Sequence, residues 1–141
     1  MLGKQTILDA LDGALPSGVH AVRKGGSEKG YVDVLLDDGR TEALLTITVQ
    51  DWPPQQEQLN EIFKNAKPDR SGNRLVTRQY PTTSGGRNAV EWDADALYGD
   101  GRRVVVSELN AMAFGLPANR ANPPLSMKQL ASIAEAAALR S

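Results

Sequence analysis

Glu91, Asp93 and Asp95 alternate along one stretch of the chain. On a β-strand, where successive side chains point to opposite faces, all three carboxylates share a face. A two-residue hairpin turn centred on Asp100-Gly101 would bring Glu108 opposite Asp93 and add a fourth. Oxygen ligands of this kind suit Ca²⁺ or Mg²⁺, so Glu91, Asp93, Asp95 and Glu108 are the candidate metal ligands. They carry one alternative reading, a metal-dependent or small enzymatic domain. Like charges set directly opposite destabilise a sheet, so the competing expectation is a solvated acidic face offset by nearby arginines. Glycoside hydrolysis by paired carboxylates needs a cleft with sugar-binding aromatics. Aromatic residues make up only 5% of the chain, which argues against it.

Other chemistry is sparse. The one histidine, His20, has no Asp, Ser or Cys placed by spacing to make it a general base, and reads as an ordinary surface residue. There are no cysteines, which removes disulfides, thiolate zinc sites and a thiol nucleophile. Gly25-Gly26 and Gly85-Gly86 lack the lysine and hydroxyl continuation of a phosphate loop and read as plain loops. Lys64, Lys67, Arg70, Arg74 and Arg78 against Asp69 make a basic band over residues 62–78. It offers a second alternative, nucleic-acid binding. No aromatic interleaving accompanies it, so solvated cations at a helix C-terminus are expected instead. Met112, Phe114 and Leu116 lie in the aperiodic stretch from Asn110 to Pro124. Apolar side chains in so long a connection either pack across the sheet or are presented to a partner.

These groups need elements to position them. Ile7, Ala10, Leu11 and Ala14 recur at helical spacing, and Pro16-Ser17-Gly18 stops that helix. Val19 to Lys24 reads as a strand. Tyr31–Leu36 and Thr41–Val49 alternate apolar and polar residues around Asp38-Gly39, the preferred centre of a type I′ turn. That turn predicts Val34 opposite Ala43 and Val32 opposite Leu45. Asp51-Trp52-Pro53-Pro54 ends the strand and can open a second helix with Leu59, Ile62, Phe63 and Ala66 as its stripe, closed by Pro68. Leu75–Tyr80, Asn88–Tyr98 and Arg103–Leu109 read as strands, with Thr82 to Gly86 a loop. The Asp100-Gly101 turn predicts Ala96 opposite Val105 and Trp92 opposite Leu109. Ser126 and Gln129 form a capping box for a last helix, flanked by the Leu125–Leu130 staple. The expected fold is α+β, in the order αβββ-αβββ-α. About six strands form a mostly antiparallel sheet with helices packed on it. The two Asp-Gly hairpins occupy corresponding places in the halves, which reads as convergence on good turn chemistry.

The chain has 141 residues with 40% hydrophobic residues and a net charge of −1. That is one domain, residues 1–141, able to bury a core unaided, and not a polycation for nucleic acid or membrane. Lys4, Gln5, Asp9 and Asp12 interrupt the apolar run a signal peptide needs. No stretch reaches the roughly 20 apolar residues of a membrane-spanning helix, so this chain is not expected to insert into a bilayer.

The stretch from Asp100 to Ala111, DGRRVVVSELNA, continues through Arg120, Pro123, Pro124 and Leu125 into the capped helix. It resembles a motif of uncharacterised actinobacterial proteins. Val34 to Arg40 is similar to a motif in their first half. The resemblance covers most of the chain and implies a soluble domain of membrane-anchored or lipoprotein-type proteins, outside the cytoplasm, some associated with extracytoplasmic sigma factors. It carries over no catalytic residue. The expected location is extracytoplasmic if this is an excised domain, and cytoplasmic if Met1 is the native start. A full fold signature beside so few reactive groups points to a non-catalytic binding or regulatory domain. No cofactor is expected. A protein partner would be met through Met112, Phe114 and Leu116.

Overall fold

A computed structural model describes residues 2–53, 57–82 and 85–140. Helix α1 (Lys4–Ala14) leads into strands β1 (His20–Gly26), β2 (Tyr31–Asp37) and β3 (Glu42–Asp51). Helix α2 (Glu57–Phe63) then precedes β4 (Arg74–Pro81), β5 (Val90–Leu97) and β6 (Arg102–Leu109). Helices α3 (Met127–Ala134) and α4 (Ala137–Arg140) follow. The six strands form one antiparallel sheet in the order β1-β2-β3-β6-β5-β4. Each half of the chain is a three-strand meander, and the halves join where β3 pairs with β6. The expected α+β architecture is therefore the observed one, with α4 added.

The apolar stripe of α1 is buried through Ile7, Leu8 and Leu11, and that of α3 through Leu130, Ile133 and Ala134. Both lie in one core cluster with the alternate residues of the sheet, among them Leu36, Ile47 and Val106. Each such side chain contributes roughly 1.5–3 kcal/mol by leaving water. Ser126 caps α3 as its spacing predicts. Its hydroxyl accepts from the Gln129 amide at 3.1 Å, and the Gln129 side chain accepts from the Ser126 amide at 2.9 Å. Leu125 and Leu130 are both buried in the core. The Tyr98 hydroxyl ties the end of α3 to the sheet by donating to the Ala134 carbonyl at 2.7 Å.

Both hairpins depart from the expected register. In the first, Ala43 pairs with Leu36, and Val34 pairs with Leu45. The turn spans 38–41. Asp38 Oδ1 accepts from the amides of Arg40 and Thr41 at 3.0 and 3.1 Å, and of the two central residues only Gly39 has a positive φ. A type I′ turn needs it at both. The shift is two residues, so every side chain keeps its expected face.

In the second hairpin, Ala96 pairs with Val104, and Trp92 with Glu108. The turn holds three residues, 99–101. The Tyr98 amide donates to the Arg102 carbonyl at 2.8 Å, and the Gly101 amide to the Tyr98 carbonyl at 2.9 Å. Gly101 has φ +92° and approaches Trp52 so closely that a Cβ there would sit 2.3 Å from the Trp52 carbonyl oxygen. This slip is one residue, so β6 presents the opposite faces from those expected. Pairing with β3 dictates it, because Ile47 faces Val106 and Val49 faces Val104 within the core.

Two smaller corrections concern element ends. Gly25 and Gly26 are not a loop: they continue β1 beyond a bulge and pair with Asp33 and Val32. The α2 stripe is narrower than its spacing predicts, because the helix ends at Phe63. Leu59 and Phe63 are buried, whereas Ile62 is exposed. Pro54, expected to open that helix, and Thr83-Ser84 of the Thr82–Gly86 loop lie outside the described residues.

Candidate functional site

The face of the sheet away from α1 and α3 carries the acidic residues. Register places Glu91, Asp93 and Asp95 there with Tyr80, Arg78 and Val76 of β4 beside them. Leu109, Ser107 and Val105 of β6 lie on their other side. Arg103 also reaches this face and makes a two-pronged pair with Asp95, Nε to Oδ1 at 2.9 Å and an Nη2 contact to Oδ2 at 2.6 Å. Arg78 donates to Asp95 Oδ2 at 3.0 Å and lies 3.6 Å from Asp93 Oδ2. Burial works against the Arg78 charge, yet the Asp95 and Asp93 carboxylates outweigh it and hold its pKa above the usual value. Two cations thus offset two anions, as expected, but the face is not the solvated one foreseen: Asp93 and Asp95 are buried, and their ion pairs form out of water.

Among the described residues, no cation pairs with Glu91 in this way. Its Oε2 is hydrogen-bonded to the Tyr80 hydroxyl, which also lies 2.9 Å from Asp93 Oδ2. Burial first, and then the adjoining Asp93 carboxyl, push the Glu91 pKa up to about 7, while Tyr80 and Arg78 pull it down. Tyr80 is raised beyond the usual phenol range by burial and by hydrogen bonds to the two carboxyls.

Glu108 does not join this group. The one-residue slip puts it on the helix face, opposite Trp92 and Leu45, where it is completely buried. Its Oε1 accepts from the Leu125 amide at 2.9 Å, and its Oε2 is buried without a partner. Burial pushes its pKa up to about 8, against the opposing effects of the Leu125 amide and Arg120. The four expected metal ligands are therefore split between two faces. Among the described residues no group of three or more acidic or histidine side chains is placed to hold a metal.

The basic band is also divided. Arg78 is drawn onto the acidic face, and Lys64 pairs with Glu61, so the cations do not present one continuous strip. His20 is exposed at the start of the edge strand β1, opposite Asp37.

The stretch between β6 and α3 has an ordered frame and an apolar exterior. Asn110 is buried and fastens it: its Oδ1 accepts from the Val90 amide at 2.8 Å, and its Nδ2 donates to the carbonyls of Asn88, Arg120 and Ala121. Arg120 donates to Asp38 and to Thr41 Oγ1, which depresses the Asp38 pKa well below the carboxylate range. Asn119 donates to the Glu42 carbonyl at 2.9 Å, and the Ala118 amide to the Arg87 carbonyl at 2.9 Å. Gly86 sits so close that a Cβ there would meet the Leu116 carbonyl oxygen at 2.2 Å. Ala111 packs with Leu109 and Ala89 beneath.

On this frame Met112, Phe114 and Leu116 are 40%, 48% and 46% exposed. The expectation that they pack across the sheet is overturned. Polar ties have taken over the task of holding the backbone, which leaves the apolar side chains free at the surface.

Sequence reasoning did not find Tyr80, Asn110 or Arg120, and placed Arg78 in the basic band. Tyr80 and Arg78 carried a usable signal, since they alternate on β4 with the period of the acidic trio. The partners of Asn110 and Arg120 come from distant segments and left no local pattern. No family model, curated protein or solved structure matches this chain.

Proposed function

We propose that this is a non-catalytic binding domain that recognises a protein partner through Met112, Phe114 and Leu116. The observation that carries the reading is the combination of a backbone fastened on both flanks with large apolar side chains left in water. Such groups are normally covered, and contiguous exposed apolar groups mark interaction surfaces. A pre-ordered loop binds with little further loss of conformational entropy, and Met and Phe are enriched at protein interfaces. Asp93 and Asp95 are engaged by Arg78 and Arg103 rather than left as a free carboxylate pair. On the actinobacterial resemblance, and if this is an excised domain, the partner is met outside the cytoplasm.

A displayed peptide library selected on the immobilised domain tests this. Selected ligands should bind saturably, and Phe114→Ala and Leu116→Ala should each weaken them at least about tenfold, or ~1.4 kcal/mol. The midpoint of unfolding should barely change. Ligands that ignore both substitutions, or a failure to obtain any saturable ligand, would sink the reading.

A further inference from the structure

The second face of the sheet holds more acceptor oxygens than its evident protons can serve. Tyr80 Oη is hydrogen-bonded to Glu91 Oε2 and lies 2.9 Å from Asp93 Oδ2. Two contacts join these three oxygens, and a single phenol hydrogen shared between two carboxylates serves each only weakly. The phenol supplies one proton. Ionised carboxylates are acceptors only, so two separate, well-formed bonds here call for a second proton on a carboxyl.

Charge decides which one. From β4, Arg78 and Tyr80 face the group; from β5, Asp93 and Asp95 do. On β6, Arg103 lies farther along, while Ser107 and Leu109 stand opposite Asp93 and Glu91. Arg78 and Arg103 balance Asp93 and Asp95, and the Arg78 guanidinium stands 3.6 Å from Asp93. Glu91 is left over. Asp93 is 4% exposed, and its Oδ1 is buried without a partner, so burial makes a second ionised neighbour costly for this carboxylate. Two carboxyls this close do not ionise independently.

We propose that Glu91, Tyr80 and Asp93 form a proton-holding relay, in which Glu91 donates to Tyr80 and Tyr80 donates to Asp93. Loss of the Glu91 proton leaves the phenol with two acceptors for one hydrogen and adds one negative charge to this face. The relay is a pH-responsive device independent of the apolar loop. It switches the cluster of Arg78, Tyr80, Glu91, Asp93, Asp95 and Arg103 between neutral and singly negative. The pKa of Glu91, pushed up to about 7 chiefly by burial and by Asp93, puts the change near neutrality.

Carbon-detected NMR of the side-chain carboxyls in the full chain tests it. The Glu91 Cδ resonance should titrate near pH 7, about 2 to 3 pH units above an ordinary glutamate. Asp93→Asn removes the ionised neighbour, so it should bring the Glu91 midpoint down by at least about one pH unit. A Glu91 midpoint between about 4 and 5 in the unaltered protein would overturn the relay. So would an Asp93→Asn variant that folds and leaves the midpoint unmoved. Should Asp93→Asn fail to fold, the wild-type midpoint alone decides.

Discussion

Glu108 illustrates how burial, rather than residue type, sets what a side chain does. A carboxyl with one donor and one orphaned oxygen in an apolar core is stable only in its neutral form, hence a pKa pushed up to about 8. Its folded value lies above its unfolded value of 4.5. Its contribution to stability is therefore complete below about pH 4.5 and is lost as pH rises through about 8, at a total cost on the order of 5 kcal/mol. Glu108→Gln keeps the shape and removes the titration. The variant should melt close to the wild type at pH 5 and clearly above it at pH 8.5. Equal melting temperatures at pH 8.5 would show that Glu108 is ionised at no cost. Phe114 is the opposite case. With 48% of its surface exposed, Phe114→Ala should cost less than about 1 kcal/mol in urea unfolding, against the 3–5 kcal/mol of a buried aromatic.

At the scale of elements, α3 and the stretch before it are held by polar ends. Both bonds of the capping box are present, so Ser126→Ala should lower stability by ~1 kcal/mol. An unchanged denaturation midpoint would mean that Ser126 does not cap. Asn110 does more, because it serves Val90 and three carbonyls while itself only 1% exposed. Asn110→Ala would leave several of these groups buried and unpaired, each costing about 1–3 kcal/mol. A loss of about 3 kcal/mol or more is expected, with amide exchange across residues 110–124 accelerated. Protection unchanged in that stretch would refute its role as the fastener. The helices and strands were largely legible because each has its own local period. The Asn110 fastening was not, since it joins residues up to 22 positions apart.

For the molecule as a whole, the titrating groups act together. Glu91 and Glu108, raised to about 7 and about 8, both hold protons that the unfolded chain has released, so stability falls as pH climbs from about 4.5 to 8. Asp38 has the reverse sign. Its folded pKa is depressed by Arg120 and by the Thr41 and Arg40 amides, so its contribution is present above about pH 4 and is lost as pH falls further. The melting temperature should therefore peak near pH 4.5–5, on the acidic side of neutrality. A profile flat from pH 5 to 8, or one rising across it, would contradict the assignments of both glutamates.

The sequence by itself determined the six strands and the first three helices, the α+β class, the cap of α3 and which residues of β2 and β3 turn inward. Those follow from local rules: a period of 2 or 3.6, a turn residue, a cap. It also placed Glu91, Asp93 and Asp95 on one face and foresaw that arginines would have to answer them. Only the tertiary structure decided the rest. Asp100-Gly101 is compatible with a two-residue or a three-residue turn. The choice fell to β3, a strand more than fifty residues earlier in the chain, whose core face aligns with Val104 and Val106. That one-residue difference moved Glu108 from the acidic face into the core. The apolar loop followed the same logic. Nothing local to Met112, Phe114 and Leu116 says whether they are covered, because their exposure depends on Asn110, Arg120 and Gly86 fixing the backbone from elsewhere. Side-chain spacing is a local property, whereas strand register and burial are settled by all the neighbours at once.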